Sequence, residues 1–578
     1  MKFIRTITMV LAVAWICAVA NAASIYVGPC EGKIASTGIA KAGNCEVGAA
    51  LKFPQELLAP YSGGMITGIR VGLVNAEGME GFNAWIRPSL DGGNLREASA
   101  SPSAGWNEIT LDEPLAIDGN PFFVGYSFSQ VKSVKCISAV GESIEGGLYI
   151  AKNGNWEEPS NKKGVLSVEL IVSHPSIPGT DIEITRVRFD SPVAPEGGTV
   201  RMNIDITGNA LGTGDGFDVE YTVGNGKYLL HSDKWPMFRE TVTLSADLKS
   251  TEAGIESDVP APVSATILSD KDEIDSNNSR DAFMGFYTET RPRKVLIEEF
   301  TGQKCGNCPR AISTIHSCAE KYPGKMAVIA HHVGYKKDDF TVEADYALEW
   351  FYGPAEEGTS APAVMLDRTA LPGNKVPMES IGYIDTFELR FLQALDVPAF
   401  VTLNVLPVYS ESEMKIKVTG DALPLFKAVC PEPRINIFIV EDGLKGEQAG
   451  ISSEDFTHSH VNRLNVTEIF GDPVDLDNGE FEREYTVKVS PDWNVGNLEI
   501  VAFIGEYDPS DRTGCKVFNT ASARADNSSV TEVKDDMIVS TEYFTLDGIK
   551  ATPYASGILI RIDSYSDGRV SRTKIINR

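Results

Sequence analysis

The chain has 578 residues, a formal net charge of −28, 42% hydrophobic and 23% charged residues. Those values exclude a disordered polymer, because there is enough apolar side chain to build cores. They also argue against nucleic acid as a partner, since phosphate binding needs clustered Lys and Arg.

Residues 1–22 read as a secretory signal peptide: Lys2 and Arg5 form the charged front, Ile7 to Val19 the apolar middle, and Ala20-Asn21-Ala22 the small-residue exit. The apolar run is too short for a bilayer, and no later stretch approaches about 18 apolar residues, so no transmembrane span is expected in the mature chain. Ala14, Trp15 and Ile16 before Cys17 fit a lipid-attachment motif poorly. Of nine cysteines only Cys17 falls in the leader. Export permits disulfides, yet so few cysteines in this length mean that the chain folds by burial. Cys30 with Cys45 and Cys430 with Cys515 are the expected structural pairs, while Cys136 has no evident partner.

A mature chain of this length suggests about three to five domains, and the expected fold class is multidomain and mostly β. Over 23–174, short alternating runs such as "MITGIRVGLV", "NPFFVGYSFS" and "GVLSVELIVS" are broken by Gly, Pro, Asn and Ser, which suggests a β sandwich or jelly roll. Trp85, Trp106 and Trp156 could line a sugar-binding face there, or serve as core and rim aromatics. "HPSIPGTD" is a linker. From 182 to 287 the alternation is cleaner, with hairpin chemistry at "GNGK", and an Ig-like β sandwich is expected.

The character changes at 293–396. "RKVLIEEF" reads as a strand, "PRAISTIHSCAEKYPGK" as a helix stopped by Pro323-Gly324, and "MAVIAHHVGY" as a buried strand. "EADYALEWFYG" reads as a helix ended by Gly353, "APAVMLD" as a strand and "ESIGYIDTFELRFLQAL" as a helix. That alternation is an α/β pattern. Strand-like alternation returns over 398–524 as a further β sandwich, and 540–578 form a small C-terminal β module.

The chemistry concentrates in "TGQKCGNCPR", residues 301–310. Two cysteines with two residues between them can be a redox couple, a structural staple or half a zinc site. A helix N-terminus after the pair would stabilise the Cys305 thiolate through unpaired N–H groups and the helix dipole, and would hold Cys308 one turn away. Pro309 is tolerated because first-turn N–H groups have no intrahelical partner. Zinc is disfavoured, as no second Cys or His pair stands at suitable spacing. No metal or cofactor is expected. Cys318 falls on the apolar face of the same helix. His331 and His332 end a strand and must point to opposite faces, so at most one looks toward the CxxC turn. His458 and His460 would share a face if extended and could grip a metal, though structural roles are favoured. Glu298 and Glu299 point oppositely and cannot act as a paired acid and base. No G-x-S-x-G elbow or H-E-x-x-H helix supports hydrolase chemistry.

"VLIEEFTGQKCGNCP" resembles the first strand and active-site turn of the thioredoxin superfamily. The resemblance implies that Glu299, in the place of the family's buried acid, assists proton transfer at Cys308. It also implies that Pro362 in "GTSAPAVMLD" is the cis-proline beside the disulfide. The sequence departs from the family at Lys304, where an aromatic is usual, and the fourth strand is hard to see between Asp367 and Pro377. More widely, "IEEFTGQKCGNCP", "VIAHHVGY", "FIVEDG", "HSHVNR" and "VAFIGEYD" resemble the outer-membrane-protein-related family of twenty-eight-kilodalton type, in which a thioredoxin-like domain precedes a β sandwich. The tail, with "YFTLDGIK" and "GRVSRTKIINR", resembles type IX secretion sorting domains. Two functions stay open. One is an exported thiol–disulfide exchanger acting on protein substrates. The other is a non-enzymatic surface binding or adhesion protein in which the CxxC is a structural disulfide. The expected location is the outer membrane, cell surface or medium, with the periplasm as alternative.

Overall fold

A computed structural model describes residues 23–577 apart from 42, 160–163, 252–253, 355–357, 382–383, 452–455, 477, 526–537, 546–547, 553–556 and 566–569. The expected leader lies outside the described residues. The chain is mostly β and forms two compact units, one from the residues up to Ile255 with Ala261–Met284, the other from Glu256–Pro260 with Gly285 onward.

The first unit begins with two antiparallel sheets. One orders Ser24–Val27, Val168–Ser173, Met65–Leu73 and Gly105–Ala116; the other orders Asn155–Glu157, Tyr149–Lys152, Cys45–Lys52, Phe123–Gln130, Met79–Arg87 and Arg96–Ser99. The period-2 alternation of their strands delivers Val47, Ala49 and Leu51, Ile69 and Val71, Val124 and Tyr126, Leu170 and Val172 to one apolar core. Trp85 is fully buried and packs edge-on against Trp156, while the Arg70 guanidinium sits 4.1 Å over Trp106. The three indoles therefore form no open platform for a sugar.

Two more sheets follow in this unit: Ile182–Phe189 with Thr199–Gly208 and Thr241–Lys249, and a five-stranded sheet that contains the hairpin Phe217–Val223 with Gly226–Ser232. The hairpin closes at "GNGK", where Val223 faces Gly226 and Gly224 takes φ 55°. The fully buried Glu169 carboxylate ties this segment to the first. It accepts from Arg70 Nη1 at 2.7 Å, from Arg239 Nη1 at 2.5 Å and from the Gly32 N–H at 2.9 Å.

In the second unit nine strands make one sheet. Its order is Glu379–Ser380, Ala363–Leu366, Val295–Phe300, Met326–His331, Val461–Asn465, Arg434–Glu441, Leu498–Gly505 and Val517–Arg524, with Asp472–Pro473 pairing on Arg434–Glu441. The sheet thus runs without interruption from the α/β segment into the following β segment. The join is a parallel bridge at Ala330 and Val461, with the Ala330 N–H donating to the His460 carbonyl at 2.8 Å. The fourth strand that sequence leaves obscure is the two-residue Glu379–Ser380, paired with Ala363 and Val364.

Alternation gives the sheet two dry faces. Val295, Ile297, Val328, Val364 and Leu366 are covered by helices Cys308–Lys321 and Ile384–Leu395 through Ala311, Ile315, Cys318, Phe387 and Phe391. On the other face Leu296, Ala327 and Ile329 pack with Phe438, Val440, Val501 and Phe503. The described residues of this unit also form a three-stranded sheet of Val401–Ser410, Glu413–Ala422 and Glu480–Lys488, a two-stranded ladder of Leu444–Gly446 with Phe456–His458, and a four-stranded C-terminal sheet. Among the described residues no helix is long and apolar enough to cross a membrane.

The two expected disulfides outside the CxxC are not formed. Cys30 Sγ points at the Val168 carbonyl, 3.7 Å away, and Cys45 Sγ at the Gly43 carbonyl, 3.6 Å away. Cys430 Sγ lies 3.8 Å from the Gly505 carbonyl, and Cys515 Sγ 3.6 Å from the Asp508 carbonyl. Each thiol faces a main-chain carbonyl instead. Burial pushes the Cys30 thiol up to about 11 and also raises Cys430 and Cys515, so these three stay protonated and inert near neutral pH. Cys136 and Cys318 are likewise buried thiols, pushed by burial to about 11.

Because two arginines share one buried carboxylate, Glu169→Ala should destabilise the first unit by about 3 kcal/mol, the scale for stranding a charge by removing its partner. Glu169→Gln, which keeps the shape and the Gly32 acceptor, should cost less; urea unfolding of both variants measures the difference.

Candidate functional site: the CxxC corner and its cover

The strand Val295–Phe300 is buried along its whole length and delivers the chain to Thr301, whose N–H donates to the His331 carbonyl at 2.9 Å. A turn follows, with the Cys305 N–H on the Gly302 carbonyl at 3.0 Å and the Cys308 N–H on the Cys305 carbonyl at 3.3 Å. The helix starts at Cys308 with Pro309 in its first turn. Cys305 and Cys308 form a disulfide with their Cα atoms 5.5 Å apart, at the strand–turn–helix corner that the sequence implied. Ala361–Pro362 is a cis peptide, and Ala363 directly after it pairs with Phe300. The chain thus brings Pro362 to the strand end from which the CxxC turn departs.

Glu298 and Glu299 point to opposite faces, as alternation requires. Glu299 falls on the helix-covered side with Val295 and Ile297; it is 4% exposed, its Oε1 has no hydrogen-bond partner, and burial pushes its carboxyl up to about 8. It is therefore a neutral acid at pH 7. Glu298 sits on the other side in a fully buried ionic chain. Arg368 holds it with two hydrogen bonds, of 2.8 and 2.7 Å, and His331 Nε2 lies 3.6 Å from it, an ion-pair rather than a hydrogen-bond distance. His331 Nδ1 meets Asp345 Oδ2 at 2.8 Å, and Asp345 accepts further from Asn462 and Asn465. Burial alone would lower the His331 imidazolium, but the Asp345 and Glu298 charges outweigh it and raise it to about 9. Burial likewise opposes ionisation of Glu298, and Arg368 overcomes it, holding the carboxyl at about 2.

His332 turns the other way, toward the CxxC side. Its Nδ1 meets Asp338 Oδ2 at 2.9 Å, and the same oxygen accepts the Gln303 N–H at 2.7 Å. His458 lies against His332 and Phe340, with ring centroids 5.7 and 5.0 Å away. His460 adopts φ 56°, which breaks the extended run, so His458 and His460 do not share a face; His460 sits beside Asp442 instead.

The decisive feature is what covers the corner. Cys305 is 3% exposed and Cys308 0%. Over them passes a strap, residues 444–451, contributed by the chain after the strand Arg434–Glu441. Gln448 Nε2 donates to the Cys305 carbonyl at 2.8 Å and to the Gly302 carbonyl at 3.3 Å, and the Ala449 N–H donates to the Gln303 carbonyl at 2.7 Å. His458 Nε2 lies 3.3 Å from the Glu447 carbonyl. Nothing in the periodicity of "GLKGEQAGISS" marks Gln448, Asp338 or Asp345 as part of this corner; the recurrent glycines at Gly443, Gly446 and Gly450 are the only local signal.

Part of this unit is similar to known proteins. Residues 356–526 match the family model described as outer membrane protein Omp28. No curated protein matches the chain. Among solved structures, HBP35 of Porphyromonas gingivalis is 15% identical, with a TM-score of 0.37 over 50% of this chain and 100% of that one. A domain of the outer membrane lipoprotein Omp28 from Porphyromonas gingivalis is 19% identical, with a TM-score of 0.16 over 22% of this chain and 91% of that one. A protein from Agrobacterium tumefaciens is 12% identical, with a TM-score of 0.28 over 42% and 99% of the two chains.

Two buried groups make stability fall as pH rises. His331, raised from 6.5 to about 9, contributes stability that is complete below about pH 6.5 and is lost as pH climbs through about 9. Glu299, a carboxyl raised from 4.5 to about 8, also favours the fold in its protonated state, and that advantage is lost from about pH 4.5 to 8. Glu299→Gln should therefore flatten the slope of unfolding free energy between pH 5 and 8 while leaving the loss toward pH 9 in place. Urea unfolding across that range tests it.

Proposed function

We propose that this is an exported, outer-membrane- or cell-surface-associated protein built from β modules, in which the thioredoxin-like corner is a closed scaffold and its disulfide is resident rather than turning over. The observation that carries this reading is the burial of both sulfurs beneath the Gln448 strap. A protein substrate cannot bring its own sulfur into line with Cys305 in this state. The export leader expected over 1–22 and the match of 356–526 to an outer membrane protein family support the location. On this reading the modules are 23–174, 182–287, the α/β segment 293–396, the β segment 398–524 that continues its sheet, and 540–578 as a type IX-like sorting module. Ligand binding at the surface is then the business of the β modules.

A second reading, thiol–disulfide exchange with protein substrates, is favoured by one set of features: a neutral buried acid at Glu299, and cis-Pro362 at the strand end beside the CxxC turn. In that reaction Cys305 would attack a substrate disulfide and Cys308 would resolve the mixed disulfide, with Glu299 moving the proton at Cys308 and Pro362 shaping the groove.

The two readings part on one titration. A resident disulfide should have a reduction potential below about −300 mV, out of reach of the glutathione pool, and a Cys308→Ser variant should capture no protein partner. A potential between about −270 and −120 mV with covalently trapped partners would establish the exchanger instead.

A further inference from the structure

The strap is built unlike the rest of the unit. Gln448 is its one fully buried residue, 3% exposed, while Lys445, Glu447, Ala449, Gly450 and Ile451 are exposed. It therefore lies one residue thick over the corner and contributes no side chain to the apolar clusters beneath. Its first three residues, Leu444–Gly446, pair antiparallel with Phe456–His458; beyond them what fastens it is polar: the two Gln448 donations and the Ala449 N–H, all onto carbonyls of the CxxC turn, and His458 on the Glu447 carbonyl. The fastening is incomplete, because Gln448 Oε1 is buried without a partner. Gly443, just before it, takes φ 77°, and Gly450, within it, φ 85°. Gly450 lies so close that a Cβ there would come within 2.6 Å of the Gly306 carbonyl oxygen.

A segment held by a three-residue ladder at one end and a few hydrogen bonds beyond it, with an unsatisfied buried amide oxygen and no side chain in the apolar clusters, opens at a much lower free energy than the core it covers. The acceptors it uses are main-chain carbonyls of Gly302, Gln303 and Cys305, which would serve any extended polypeptide that presents N–H donors. We infer that residues 444–451 are a lid which occupies the polypeptide-binding edge of the CxxC turn and sets the rate at which any thiol reaches Cys305. The inference rests on the sealed-disulfide reading and deepens it by naming what controls access. It concerns rate, whereas the reduction potential is an equilibrium property, so either can fail without the other.

The test reduces the intact mature chain with excess dithiothreitol. One thiolate of the reagent attacks Sγ of Cys305, the less buried of the two residues, and displaces Cys308 as a thiolate. The second reagent thiol then attacks the mixed disulfide. Cys305 and Cys308 leave as two thiols, and the reagent leaves as its cyclic disulfide. Quenching by alkylation and mass spectrometry gives the rate. Two variants loosen the lid by unrelated routes: Gln448→Ala removes its donors, and Gly450→Ala adds a Cβ that the closed state cannot hold. Both should accelerate reduction about tenfold or more, with urea midpoints unchanged and rates insensitive to low urea, as local opening requires. Wild-type rates in both variants would overturn the lid. So would reduction that accelerates with urea in step with global unfolding. A Cys308→Ser, Gly450→Ala double variant that captures protein partners would revive the exchange reading; one that captures none leaves the kinetic result standing.

Discussion

The second unit depends on one buried charge chain. Arg368, Glu298, His331 and Asp345 are each 2% exposed or less, and together they join five parts of the chain: the strands Val295–Phe300 and Met326–His331, the turn after Leu366, the helical segment Glu343–Tyr352 and the strand Val461–Asn465. Each member satisfies another: Arg368 forks onto Glu298, His331 stands between two carboxylates, and Asn462 and Asn465 fill the remaining acceptor sites of Asp345. Such a network gains little over a well-packed apolar alternative, but removing a member strands a charge, so it specifies an arrangement more than it stabilises one. Here the arrangement is the alignment of Val461 against Ala330, where the α/β segment meets its β extension.

That join has a consequence at the opposite face of the strand end. With Val461–Asn465 fixed beside Met326–His331, the chain that leads to it must cross the end of the sheet where the CxxC turn sits. Residues 444–451 make that crossing. His332 and His458, packed edge-on to each other and to Phe340, fix the near side, and Asp338 holds both His332 and the Gln303 N–H. The cover over the disulfide therefore goes with the continuity of the sheet.

Glu299 illustrates how one strand separates two kinds of acid. Its neighbour Glu298 is ionised because Arg368 and His331 surround it; Glu299, one residue on and facing the other way, meets no counter-charge and stays protonated at neutral pH. Alternation of a buried strand is enough to produce both, and the same alternation separates His331, locked in the ionic chain, from His332, which faces the CxxC side.

Local rules made much of this legible in the sequence. The strand before the CxxC, the helix after it with proline in the first turn, the tight "GNGK" hairpin and the opposed directions of paired Glu and His residues all follow from backbone periodicity and turn chemistry, which neighbouring residues set. Glu299 is buried on the strand before the CxxC turn and Ala361–Pro362 is a cis bond at the end of that strand. What only tertiary structure decided were pairings between distant segments. Cys30 does not meet Cys45, nor Cys430 Cys515; each thiol faces a main-chain carbonyl instead. His458 and His460 part because one residue takes a left-handed conformation. The α/β and β segments share a sheet because an open strand edge finds a partner more than a hundred residues away. Gln448 covers the disulfide because that pairing carries it there. Amino-acid order fixes the period of a strand; which edge it pairs with, and what then lies over a sulfur, is settled by the packing of the whole unit.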